Sequence, residues 1–346
     1  MAPAGGRPAP TRLLYILAAS HSGSTLLAML LGTHPDLSTV GELKATSLGD
    51  ATRYRCSCRE LIGQCGFWSG VTADLRRQGL DFDLTRGETD VRSVRSAYAR
   101  WLLGPLHRGP ALERARDLAL GASPRWRAHR QRGELLDGAL AAAICARTGT
   151  SAIVDSSKAG IRLKYLLRNP ALDVRVIRLV RDGRAVALTY MDPGRFADAS
   201  DPHLRGGGTG VAPTGHCTDM AGAAREWRRS NEEAEAIVAR LDRERWTDVR
   251  YEALCVDTEA TLRRLFAFAG VDSGRPRPAL RAAEHHVIGN GMRLDASGEV
   301  RVDERWRDVL TPGEIAAFDA EAGALNRRLG YPSLAAAGGG GIRVAR

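Results

Sequence analysis

An apolar run, Leu13–Ala18, leads directly into Ala19-Ser20-His21-Ser22-Gly23-Ser24-Thr25-Leu26 and then into a helical pattern over Thr25–Gly32. A buried strand that passes through a small-residue turn into a helix aims free backbone N–H groups and the positive helix end at one point. Small side chains let an anion approach closely, and Ser and Thr hydroxyls add donors. The unit reads as a phosphate cradle, with a ligand-free Ser/Gly helix cap as the alternative. It is not a Walker A loop, because no G-x-x-x-x-G-K-[ST] occurs, and that disfavours an ordinary ATPase or GTPase.

The alternation continues downstream. Ala152–Val154 and Val174–Val180 read as buried strands, followed by helices near Ile161–Leu167 and Arg184–Tyr190. Val249–Tyr251 reads as a short strand feeding a helix over Thr258–Gly270. Short apolar strands separated by helices predict an α/β fold: a P-loop-like, three-layer arrangement with a central parallel sheet flanked by helices. The main domain is expected over residues 12–332, with an Ala/Gly/Pro-rich disordered leader at 1–11 and a flexible tail at 333–346. Residues 70–150 read as an arginine-rich helical insertion. Residues 192–217, with Asp192-Pro193-Gly194 and Gly206-Gly207-Gly208, read as a long loop, either a lid or a surface excursion.

Composition narrows the class. In 346 residues, 44% apolar and 26% charged content excludes collagen-like and wholly disordered chains. The best apolar run, Leu13–Ala19, falls far short of the ~20 residues of a membrane span, so no integral membrane association is expected. No small-residue signal cleavage site follows it. Six cysteines are too few for a disulfide scaffold and fit a reducing cytoplasm. The net charge of +10 permits a polyanionic partner such as a phosphorylated cofactor. Of 50 basic residues only Lys44, Lys158 and Lys164 are lysines, an arginine bias that a GC-rich genome produces by itself. Aromatics at 5% and scattered arginines do not make the basic stripe with stacking rings that nucleic acid requires.

Four segments, in order, carry a resemblance. The first runs from His21-Ser22-Gly23-Ser24-Thr25-Leu26-Leu27 through Leu31-Gly32-Thr33-His34-Pro35-Asp36 to Gly41-Glu42-Leu43. The second is Val176-Ile177-Arg178-Leu179-Val180-Arg181-Asp182-Gly183-Arg184-Ala185-Val186-Ala187, and the third Arg250-Tyr251-Glu252-Ala253-Leu254. The fourth is His286-Val287-Ile288-Gly289-Asn290-Gly291-Met292-Arg293, then Asp303-Glu304-Arg305-Trp306. Together they resemble sulfotransferases that use 3′-phosphoadenosine 5′-phosphosulfate (PAPS), in particular bacterial members. The resemblance implies that His21, Ser22, Gly23, Ser24, Thr25 and Leu26 hold the 5′-phosphosulfate. It implies that Arg181 and Thr189 meet the 3′-phosphate and that Tyr251 sits near the adenosine. Asn290 and Arg293 are assigned to the 3′-phosphate, with Arg301 as a rival. Where relatives carry Lys or Arg, this chain has His21.

The implied reaction moves the sulfuryl group of PAPS to a hydroxyl or phenol of a small-molecule, glycolipid or carbohydrate acceptor by in-line displacement, leaving PAP. It requires a general base and positive charge at the departing phosphate oxygen. Glu42 is the expected base, with Asp155 as the alternative. Lys158 is the candidate for the bridging oxygen, and His21 for the transferring sulfonate. Two other functions are weighed: a small-molecule kinase with an atypical phosphate loop, and a non-catalytic basic nucleotide- or nucleic-acid-binding protein. Cys56-x-Cys58 with Cys65 beside Phe67-Trp68 is a partial zinc pattern, but a structural site takes four ligands and no obvious fourth lies nearby. These cysteines are read as reduced or locally disulfide-bonded, His285-His286 as structural, and no metal is expected. Trp227, Trp246 and Trp306 are read as core.

Overall fold

The structure is a computed structural model that describes residues 9–44, 48, 52, 54–103, 110–199, 202–205, 217–274, 285–294 and 300–333. Five strands form its sheet: β1 (Thr11–Ala18), β2 (Leu37–Thr39), β3 (Ala152–Lys158), β4 (Leu172–Val180) and β5 (Trp246–Arg250). Their order is β2-β3-β1-β4-β5, and every pairing is parallel.

Both faces of this sheet are covered, which makes the three layers. Alternate residues of a strand point to opposite faces. Leu13, Tyr15 and Leu17 join Ile153, Val174 and Val176 in one core, packed under Leu136, Leu140 and Ile144 of the helix Pro124–Thr148. Leu14, Ile16 and Ala18 join Val154, Ile177 and Leu179 in the other. That second core is closed by helix Ser24–Leu31 and by Leu262, Leu265 and Phe266 of helix Thr258–Ala269. Each fully buried Leu or Ile contributes about 1.5–3 kcal/mol, so the unbroken apolar reading of β1 reflects burial on two sides. Trp227 and Trp306 are buried in a third cluster, whereas Trp246 is half-buried under the guanidiniums of Arg178 and Arg243.

Several boundaries differ from the sequence reading. β1 begins at Thr11, inside the stretch read as leader, because Thr11 pairs with Leu172 and its N–H donates to Ala171 O. Residues 1–8 and 334–346 lie outside the described residues. β3 continues to Lys158 across an irregularity in its pairing with β1, so Asp155 and Lys158 belong to the strand and not to the turn after it. β5 ends at Arg250, and Tyr251 opens a helix, Tyr251–Val256. The segment 192–217 contains a helical turn, Pro193–Phe196, capped by the Asp192 carboxylate; Gly206-Gly207-Gly208 fall outside the described residues. β2 went unread because its three residues, Leu37-Ser38-Thr39, are too few and too polar to show a period.

Between β2 and β3 the chain is mostly helical, with Gly66–Arg77, Ala97–Leu102, Pro110–Gly121 and Pro124–Thr148. The buried Arg162 ties this segment to the sheet. It donates to Asp155 (3.2 Å), to Asp137 (2.9 Å) and to Thr89 O (2.8 Å). Among the described residues no helix is long and apolar enough to cross a membrane.

Candidate active site

Each strand delivers a residue to one cleft of about 650 Å³ at or just beyond its C-terminal end. β1 leads to Ser20, His21, Gly23, Ser24, Thr25 and Leu26; β2 to Glu42 and Lys44; β3 ends in Lys158; β4 leads to Arg181 and β5 to Tyr251. In open α/β sheets the ligand crevice lies outside the carboxyl ends of the strands, where strand order reverses. Here β1 is flanked by β3 and β4, and the reversal falls at the His21–Thr25 loop.

The loop is held by its neighbours. His21 takes φ 63° and Gly23 φ 94°, both in the left-handed region. A Cβ on Gly23 would lie 2.5 Å from Cδ2 of Tyr251, so only glycine lets that ring cover the loop. The Arg181 guanidinium stacks 4.3 Å above the same ring and donates to His21 O at 3.1 Å. Its other terminal nitrogen donates to Asp303, at 2.9 Å to the carbonyl and 3.0 Å to the carboxylate. Burial alone would raise the Asp303 carboxyl, but hydrogen bonds from Arg305 and Arg181 hold it well below the usual carboxylate range. Tyr251 OH donates to Arg301 O at 3.2 Å, and burial pushes its phenol up.

On the opposite side stands a buried carboxylate between two lysines. Lys158 Nζ donates to Glu42 Oε1, and Lys44 Nζ lies 3.1 Å from Oε2. Burial opposes charge on Glu42, yet the two ammonium groups hold its carboxyl below the ordinary value of 4.5. Burial lowers Lys158, with Glu42 opposing, whereas Glu42 raises Lys44. Two of the three lysines in the chain thus meet one carboxylate. Lys44 was missed as a site residue, although the scarcity of lysine was its signal.

The remaining expected site residues divide. Thr189 and Asn290 line the cleft; the Thr189 hydroxyl donates to Ala185 O at 3.1 Å, and Thr25 Oγ1 accepts from Asn290 N at 3.0 Å. Ser22 does not line it: its hydroxyl is buried without a partner. Arg293 is also excluded, because its buried guanidinium donates to Arg55 O (2.9 Å) and His286 O (3.1 Å). Arg301, its rival, does line the cleft, as do Arg195, Arg205 and Arg305. Asp155 is fully buried and spent on Leu43 N, Ser157 and Arg162.

The three cysteines are free, in keeping with their reading as reduced, but the absence of a fourth ligand is corrected. Cys56, Cys58 and Cys65 do have a fourth partner, His285, brought from more than 200 residues away; the four ligand atoms lie within 4.8 Å of one another. His285 is therefore not a bystander beside His286.

Residues 161–274, which contain Arg181, Thr189 and Tyr251, match the model of the sulfotransferase family. Over that segment the chain resembles the sulfotransferase family. The chain is 28% identical over 178 residues to mouse carbohydrate sulfotransferase 5, a match covering 49% of the chain and 44% of that relative. The matched part is thus less than half of the mouse protein's length. With human carbohydrate sulfotransferase 6 it shares 24% identity over 95% of the chain and 82% of the relative. Among solved structures, the sulfotransferase domain of the Synechococcus PCC 7002 olefin synthase aligns at 18% identity and a TM-score of 0.48, covering 95% of this chain and 98% of that one.

Proposed function

We propose that the cleft binds PAPS and moves its sulfuryl group in line to a hydroxyl or phenol of a small-molecule, glycolipid or carbohydrate acceptor. One observation carries this reading: an anion-type loop, the Arg181–Tyr251 stack and a lysine-held Glu42 converge on a single cleft. The residues fit such a polyanion by their own chemistry. Arg181 Nε is buried without a partner, and four further arginines line the walls. With Lys44 and Lys158 they outnumber Glu42, Asp198 and Asp303 on the same walls, and that excess of positive charge favours an anionic ligand.

In this reading the His21–Leu26 loop and the N-terminus of helix Ser24–Leu31 hold the 5′ end. Arg181 and Thr189 hold the 3′-phosphate, with Arg301 in place of Arg293 and Asn290 alongside, and Tyr251 backs the adenosine. When bound, PAPS supplies a sulfuryl group whose bond to the 5′-phosphate breaks as its bond to the acceptor oxygen forms. Glu42 receives the acceptor proton on Oε2. Lys44 Nζ stands 3.1 Å from that oxygen and yields it to the acceptor hydroxyl. Lys158 stands on the same carboxylate and stabilises negative charge left on the phosphate oxygen, the electrostatic role such sites require. His21 adds an imidazole donor at the loop. The likeness to two carbohydrate sulfotransferases supports trying sugar hydroxyls first among acceptors.

The test is incubation with sulfur-labelled PAPS and a panel of sugar and phenol acceptors, with a parallel series using phosphate-labelled ATP. Acceptor-dependent label transfer with release of PAP is expected. Phosphate transfer from ATP without any use of PAPS would overturn the reading in favour of a kinase.

A further inference from the structure

We propose that Cys56, Cys58, Cys65 and His285 bind one zinc ion in a closed structural site that fastens the segment 285–294 to the wall of the cleft. Three thiols and an imidazole are the donor set of a structural zinc site, in which four protein ligands leave no position for substrate. Three of the six ligand-to-ligand spacings already match, and all six lie within 4.8 Å. Zinc–sulfur bonds of about 2.3 Å and zinc–nitrogen bonds of about 2.0–2.1 Å in a tetrahedron put sulfurs ~3.8 Å apart and sulfur ~3.6 Å from nitrogen. Cys58 Sγ and Cys65 Sγ are 3.7 Å apart, and His285 Nδ1 lies 3.4 Å from Cys65 Sγ and 3.7 Å from Cys56 Sγ. All six cysteines are free.

The surroundings are built for thiolates as well. Backbone amides of Cys58, Glu60 and Trp68 donate to the sulfurs of Cys56, Cys58 and Cys65 respectively. Such N–H···S bonds disperse the negative charge that three thiolates bring to a metal. Arg59, held at φ 71°, closes the turn after Cys58, where Cys56 N donates to Glu60 O and Arg59 N to Cys56 O. The His285 ring is oriented by parallel stacking on Phe67 at 4.4 Å, and Trp68 Nε1 donates to His285 O at 3.1 Å.

The site also has a mechanical position. Immediately after His285, Val287 pairs with Val40 and Glu42 through backbone hydrogen bonds, and Ile288, Gly289, Asn290 and Met292 line the cleft. A Cβ on Gly41 would meet Val287 O at 2.4 Å, which shows how closely the two segments approach. Zinc would cross-link residues 56–65 to 285 and so hold that wall in register. The inference does not depend on which donor the cleft uses.

Metal content of the full chain, purified under reducing conditions from zinc-supplemented medium, tests it. About one zinc per chain is expected, in keeping with a single four-ligand site. Cys217→Ser should retain the metal, and Cys58→Ser and His285→Ala should lose it. Should those two variants fail to fold, cobalt added to the metal-stripped wild-type chain keeps the proposal open to refutation. It should then show thiolate-to-cobalt charge transfer and the intense visible bands of tetrahedral coordination. A wild-type chain that holds no zinc and gives no such cobalt spectrum, that carries iron instead, or that retains zinc in Cys58→Ser would overturn the proposal.

Discussion

The two side-chain clusters that meet at residues 285–294 are positioned by opposite means. In the cleft, His21, Lys158, Arg181 and Tyr251 each sit within a few residues of a strand's C-terminal end, so a sheet with two buried faces sets their separations. In the Cys/His cluster every ligand comes from irregular chain or a helix entry, and packing of Cys56, Cys65 and Trp68 in the core, with the Phe67 stack, sets the spacing in place of strand ends. A site built on strand ends is placed by the fold. A site built on loops gains most in order from a cross-link. Substitutions in the cleft should therefore alter binding or rate, whereas loss of the cluster should alter stability and local order first.

Four predictions sharpen or break that contrast. Glu42→Gln should cut turnover by about 10²-fold or more, the usual size of a lost general base, while PAP affinity stays near the wild-type value. Steady-state rates with a titration of PAP measure both, and full activity would remove Glu42 as the base. Arg181→Ala should cost about 1.5–3 kcal/mol of PAP binding, because a buried phosphate loses a charge-assisted partner; calorimetric titration reads it. Gly23→Ala should weaken PAP binding and lower stability by about 1–2 kcal/mol, since it forces a left-handed alanine against Tyr251. A melting curve with and without PAP checks both effects.

The smallest effect concerns pH. The Glu42 carboxyl lies below 4.5 because Lys158 and Lys44 outweigh burial. A depressed carboxyl contributes stability that is present above its unfolded value and lost as pH falls through the folded one. The carboxylate, and with it the proton-accepting form, should persist below the ordinary glutamate range. The acid limb of kcat/KM should thus lie lower than a free glutamate would place it, and an acid limb above 4.5 would assign the limiting titration to another group.

What could be read in advance followed from the same contrast. Strand, turn and helix signals are local, so β1, its phosphate loop and the turns after β4 and β5 were legible, and with them His21, Arg181 and Tyr251. Lys44 and the β2 edge were not, because three short residues in an edge strand carry no periodicity. Choosing between Arg293 and Arg301 required knowing which guanidinium was already spent on Arg55 and His286 carbonyls. His285 was least legible of all. Its role rests on a contact across more than 200 residues, and no local pattern encodes such a contact.

The central requirement is that the cleft recognises a bisphosphorylated adenosine at both ends. The most direct measurement is the melting temperature of the wild-type chain titrated with PAP and, in parallel, with ATP, which lacks the 3′-phosphate. At about 100 times its dissociation constant, PAP should add ~2.7 kcal/mol of stability, and ATP at the same concentration much less. Equal stabilisation by the two nucleotides, or none by PAP, would contradict it.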